Sequence, residues 1–162
     1  MEIRQAKAND VAAIARIHVA SWQAAYTGLL PDQVIADHDI ALRSKQWQRL
    51  YQRDAALVAL VRGQVVGFIT GGHQRSHLEL GGGYPCEVYG LYVDPEDQRH
   101  GVGQALLLAK RRELGRPFTL DCLSSNRQAM GFYQSQGGSD VMLGDYVAGG
   151  QTFGVQVLGF DA

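Results

Sequence analysis

Charge imbalance, cysteine and long apolar runs are what this 162-residue sequence has least of. Its 15 Lys and Arg against 16 Asp and Glu leave a formal net charge of −1. No general field therefore draws it to nucleic acid or to an anionic membrane, and no basic–aromatic stripe supplies a local one. The two cysteines, Cys86 and Cys122, both fall in strand-like segments. They are expected to be buried free thiols of a reducing compartment, not a disulfide framework. No apolar stretch approaches the roughly 18 residues of a membrane span, and residues 1–7 lack the apolar core of a secretory signal. The expected setting is the cytoplasm. Internal repeats and low-complexity tracts are missing too. What remains is the composition of an ordinary globular protein, 46% apolar and 19% charged. The length fits one domain, residues 1–162, with a core large enough to fold unaided.

Residues 2–6 alternate as a short strand. Asn9-Asp10 then opens a helix with Val11, Ile14, Ala15, His18, Trp22 and Ala25 on one face, which makes His18 a packed core histidine by expectation. Gly28 and Pro31 break that helix. A second helical region over residues 32–53, interrupted near 37–39, turns Ile40, Trp47, Leu50 and Tyr51 inward. Residues 55–62 and 64–71 form a hairpin around Gly63. Residues 72–84, with three consecutive glycines, read as a flexible connection. After residue 115 come a strand (117–123), a helix (126–136) stopped by Gly137-Gly138, and a last hairpin, 141–147 with 151–158, around Gly149-Gly150. This order predicts an α/β (α+β) mixed sheet of about seven strands flanked by about four helices.

The informative stretch is residues 88–107. Val88 to Val93 has the β-branched and aromatic content of a strand. Asp94-Pro95 ends it, and Val102, Ala105, Leu106 and Ala109 recur at helical spacing. A strand thus runs through a polar turn into a helix whose first turn holds Gly101 and Gly103, leaving backbone N–H groups open to an anion. The short pattern by itself also fits a purely structural helix start. Absent residues narrow the ligand: no Gly-Lys pair exists for a Walker A loop, and Leu106 stands where a dinucleotide fingerprint needs its third glycine. Gln98-x-x-Gly101-x-Gly103 is left.

With residues 87–107 around it, and Asn126-x-x-Ala129-x-x-Phe132-Tyr133 and Gly137 downstream, this turn resembles the GNAT superfamily of acetyl-coenzyme A dependent N-acetyltransferases. The resemblance extends to the order of elements over nearly the whole chain. It implies that the amides of Arg99, His100, Gly101, Val102, Gly103 and Gln104 wrap the coenzyme A pyrophosphate. It also implies that Leu91, Tyr92 and Val93 pair with the pantetheine arm as a strand does. The Leu91 N–H would face the thioester oxygen, where negative charge develops. Asn126 would hold the arm, although the same residue type caps helices. Tyr133 would protonate the departing thiolate; spacing alone equally suits a core aromatic. An amine of pKa near ~10 must lose a proton before attack. Glu87 matches the place where some members carry a glutamate base, and Asp121 the place where others carry an acid. Either also suits an exposed strand end, and Glu87 is the preferred base.

Other patterns carry less. His73-x-x-x-His77 has helical metal-ligand spacing, but its glycine-rich surroundings supply no third ligand, so no metal is expected. Lys110-Arg111-Arg112 reads as a solvated helix end complementing the dipole, or as a cation within reach of a coenzyme phosphate. The expected protein is an enzyme that moves an acetyl group from acetyl-CoA, its cosubstrate, to a primary amine of a small molecule or protein, by direct attack in a ternary complex. No nucleic-acid or membrane partner is expected, and the resemblance makes a homodimer through the C-terminal strands plausible. The competing expectation is a non-catalytic acyl-CoA sensor or assembly module; Tyr133 and Glu87 favour the enzyme. Residues 22–38 and 72–84 would meet the acceptor, and they name no substrate.

Overall fold

The computed structural model describes residues 1–162. Seven strands are present: β1 Glu2–Gln5, β2 Leu57–Val61, β3 Gln64–His73, β4 Cys86–Val93, β5 Phe118–Leu123, β6 Ser139–Ala148 and β7 Gln151–Phe160. Five α-helices accompany them: α1 Val11–Tyr26, α2 Asp32–Asp37, α3 Ile40–Arg53, α4 Val102–Leu114 and α5 Arg127–Ser135. The strands form one sheet in the order β1-β2-β3-β4-β5-β7-β6, in which only β4 and β5 run parallel. The mixed sheet is the expected one. The extra helix arises because the interruption near residue 38 is complete: the Asp39 carboxylate accepts from the Leu42 N–H and starts α3 afresh.

Each face of the sheet has its own core. α1 and α3 cover one face through Ile14, Ile17, Trp47, Val58 and Phe68. α4 and α5 cover the other through Leu106, Leu107, Tyr133, Val88, Phe118 and Phe160. His18 is a core residue as expected: its Nδ1 accepts from Trp47 Nε1 at 2.9 Å, and burial pushes its pKa down to about 3. Two expectations are corrected. On α3, Ile40 is half exposed and Arg43 is buried instead, because the face continuing Trp47 one turn back is residue 43. Lys110 is no solvated helix end but fully buried, its ammonium bound to the Ala55 carbonyl and Glu113. It shares the Leu106 face of α4, and the two partners offset the cost of burying the charge.

Two irregularities place the site. β4 and β5 pair only at Cys86–Val88 with Phe118–Leu120, after which no ladder joins them. On the other edge of β4, Gly90 sits opposite Thr70 and Val88 opposite Gly71, so Tyr89 is an extra residue, a bulge that bends the strand. At the closed end, Phe118 of β5 pairs with Cys86 of β4 and stacks on Phe160 of β7, 4.8 Å apart at 5° in the core.

Candidate active site

The opening between β4 and β5 is a cleft of about 740 Å³, walled by β4, β5, the start of α4, α5 and the last turns of α1. The parity of β4 follows from one bond. Asp94 N–H donates to Val66 C=O on β3, so Tyr92 and Gly90, at even spacing, also turn their amides toward β3. Leu91 and Val93 turn theirs the opposite way, toward the gap that β5 has left. These two N–H groups face a cleft with no strand to receive them.

At one end of the cleft, Arg99 (φ +64°) and Gly101 (φ +81°) both adopt left-handed geometry, and Gly101 caps α4. The first helical bond is Ala105 N–H to Gly101 C=O, so the amides of Val102, Gly103 and Gln104 remain unspent at the positive end of a helix of 13 residues. Arg99, Gly101, Gly103 and Gln104 line the cleft. His100 is exposed, and Val102 sends its side chain into the core, leaving only its backbone to the turn. A Cβ at Gly103 would lie 3.3 Å from Phe132 Cζ on α5, so Phe132 would have to give way.

From α5, Asn126 and Tyr133 both reach the cleft. Asn126 is the N-cap, its Oδ1 accepting from Ala129 N–H at 3.2 Å. The Tyr133 phenol is buried, and desolvation raises its pKa well above the usual range. Cys122 also lines the wall; burial pushes its thiol up to about 11, which leaves it a thiol near neutrality.

The two carboxylates separate. Asp121 lines the cleft, and its oxygens lie 2.8 and 3.0 Å from His77 Nε2. Glu87 stands off the cleft. It is buried, and its carboxylate accepts from Arg75 N–H (3.0 Å), Ser76 N–H (2.9 Å) and Ser76 Oγ (2.5 Å). These bonds correct the reading of residues 72–84 as a flexible connection. β3 runs on to His73, Gln74 Nε2 bonds Thr119 Oγ1 at 2.8 Å, and Arg75 stacks 3.6 Å over the Tyr89 ring. The loop is fastened down, and the fastening brings His77 to Asp121. From the 22–38 stretch expected at the acceptor, Ala24, Ala25 and Tyr26 line the cleft, and Ser21, one residue before it, lines it as well.

The Acetyltransferase (GNAT) family model matches residues 9–137. The chain belongs to the GNAT acetyltransferase family. It is 32% identical over 105 residues to the uncharacterised N-acetyltransferase YuaI of Bacillus subtilis, a match covering 65% of this chain and 59% of that relative's length. Among solved structures, the GNAT fold here is similar to PaiA N-acetyltransferase of Thermoplasma acidophilum in complex with coenzyme A. The TM-score is 0.75 at 18% identity, covering 99% of this chain and 98% of that one. It is also similar to YncA of Salmonella typhimurium with acetyl-CoA, with a TM-score of 0.70 at 23% identity, covering 99% and 93%.

Proposed function

We infer that this GNAT protein transfers the acetyl group of acetyl-CoA to a primary amine by direct attack within a ternary complex. One observation carries the reading: unspent helix amides, the outward-turned Leu91 N–H and the buried Tyr133 phenol meet in a single cleft. Acetyl-CoA supplies an acetyl thioester there. The amides of Arg99, His100, Gly101, Val102, Gly103 and Gln104 bind its pyrophosphate. Leu91, Tyr92 and Val93 hold the arm as a sheet edge holds a strand, with Asn126 beside them. The Leu91 N–H meets the thioester oxygen as it gains charge, a contribution on the order of 3 kcal/mol.

As the C–N bond forms and the C–S bond breaks, two protons are managed. Tyr133, kept protonated by burial, donates its O–H toward the departing sulfur. The amine proton goes to Asp121, the carboxylate on the cleft wall. Glu87, the base that the family resemblance favours, serves instead to position the loop carrying His77, because three donors already occupy it. The chemistry asks only for positioning and polarisation, and no step is routed through a metal.

The test is coenzyme A release from acetyl-CoA across an amine panel. Tyr133→Phe should lower kcat about 10²-fold with the acetyl-CoA Kd unchanged; full turnover by this variant overturns the acid assignment. Acetyl-CoA binding with no turnover on any amine favours the sensor reading instead. We further assign a homodimer formed through the edge strand β6, which exposes Leu143 and Val147. Sedimentation should give a dimer, and Leu143→Asp a monomer.

A further inference from the structure

Arg43 is the one buried cation whose charge has no partner. Only 8% of the residue is exposed. No carboxylate lies within the 4.0 Å of an ion pair, and the sole hydrogen bond runs from Nη1 to Gln46 Oε1 at 3.1 Å. Its Nε is fully buried with no partner, and Nη2 bonds nothing in the protein. Nε and Nη2 form the edge of a guanidinium that grips a carboxylate with two parallel bonds. Around it stand aromatic groups. Trp22 lies 4.8 Å below Cζ, and the side chains of Tyr92 and Tyr146 stand near it. Tyr92 belongs to the wall of the acetyl-CoA cleft. Tyr146 and His38 line a second hollow of about 480 Å³. Arg43 itself lines neither space; its guanidinium stands behind Tyr92 and Tyr146, which line one each.

A buried charge left unpaired is strongly destabilising, and a cation–π contact offsets only part of that cost. An anion arriving from outside the chain satisfies it. The geometry points to Arg43 as the anchor for a carboxylate on the acceptor, which makes the acceptor an amine of the amino-acid class. This deepens the acetyl-transfer reading and rests on it. Tyr92, near Arg43, lines the same cleft as Leu91, so an acceptor entering past Tyr92 would hold its carboxylate at Arg43 and its nitrogen toward the thioester.

The experiment compares amino acids with their decarboxylated amines in matched pairs: methionine with 3-(methylthio)propylamine, phenylalanine with phenethylamine, 4-aminobutyrate with propylamine. Wild-type protein should prefer the acid at least tenfold in kcat/KM for one or more pairs. Arg43→Met should raise KM for that acid at least tenfold, with kcat within threefold and the acetyl-CoA KM unchanged. Its Tm without ligand should equal or exceed that of wild type, an effect opposite to that of losing a structural arginine. Equal use of acids and amines, or an unchanged KM in the variant, overturns the proposal. If Arg43→Met fails to fold, Arg43→Lys must show the KM rise instead, since it keeps the charge and loses the fork. If no amine is acetylated although acetyl-CoA binds, the transfer reading fails, and the anion site is judged separately by titrating N-acetylmethionine against tryptophan fluorescence. Saturable quenching in wild type that disappears in the variant supports the site; identical curves overturn it.

Discussion

If Asp121 takes the amine proton as proposed, pH enters the reaction there. Burial raises its carboxyl above the ordinary range, His77 pulls it back down, and the nearby Glu87 charge pushes it up again. A proton acceptor must be ionised, so kcat/KM should fall as pH drops through that raised pKa, on a limb above the usual carboxylate value of about 4. His77→Gln removes the group that lowers the pKa and should move the limb to higher pH. Asp121→Asn should abolish the limb and lower the rate about 10²-fold. A pH–rate profile of His77→Gln superimposable on wild type rejects Asp121 as the titrating group. Both carboxylates were legible as candidates in the sequence, because the family resemblance marks their positions. Which of them is already occupied was not legible, because the groups that take up Glu87 are mostly backbone amides delivered by a loop. Arg43 was hidden for a related reason. An arginine on an amphipathic helix reads as solvated, and only its unpaired burial distinguishes it.

The first turn of α4 depends on two glycines for different reasons. Gly101 meets nothing within 4 Å, so Gly101→Ala should cost only the left-handed backbone, roughly 1 kcal/mol of stability. Gly103 faces Phe132 across the cleft. Gly103→Val should therefore part α4 from α5 and weaken acetyl-CoA binding at least tenfold by calorimetry. Equal effects of the two substitutions would show that backbone freedom alone matters. Helices, hairpins and this turn were legible because caps, periodicity and glycine geometry act locally. Residues 72–84 were not: three glycines in a row suggested slack, whereas Arg75 and Ser76 fasten the loop to Glu87 on β4 and Gln74 fastens it to Thr119 on β5.

Across the sheet, the order of strands and the single parallel pair follow from a strand–helix–strand unit set among hairpins. The narrowness of that pairing was not visible in sequence, since the Tyr89 bulge leaves no composition signal. Phe118 sits at the junction, paired with Cys86 on β4 and stacked on Phe160 of β7. Phe118→Ala should cost about 3–5 kcal/mol in denaturant unfolding. A loss below 1 kcal/mol would mean that the junction is held elsewhere.

A sheet that parts in its middle has, in effect, an edge on the inside. The Leu91 and Val93 amides sit at the centre of the molecule, yet they resemble the rim of a fibril-forming strand more than the core of a sheet. On the proposed function, the cosubstrate arm is the strand that completes it. In the free protein these amides should exchange hydrogen as fast as a surface loop, and saturating acetyl-CoA should slow them as a group. The folded population would then rise and fall with the supply of the metabolite, stabilised by RT ln(1 + [L]/Kd).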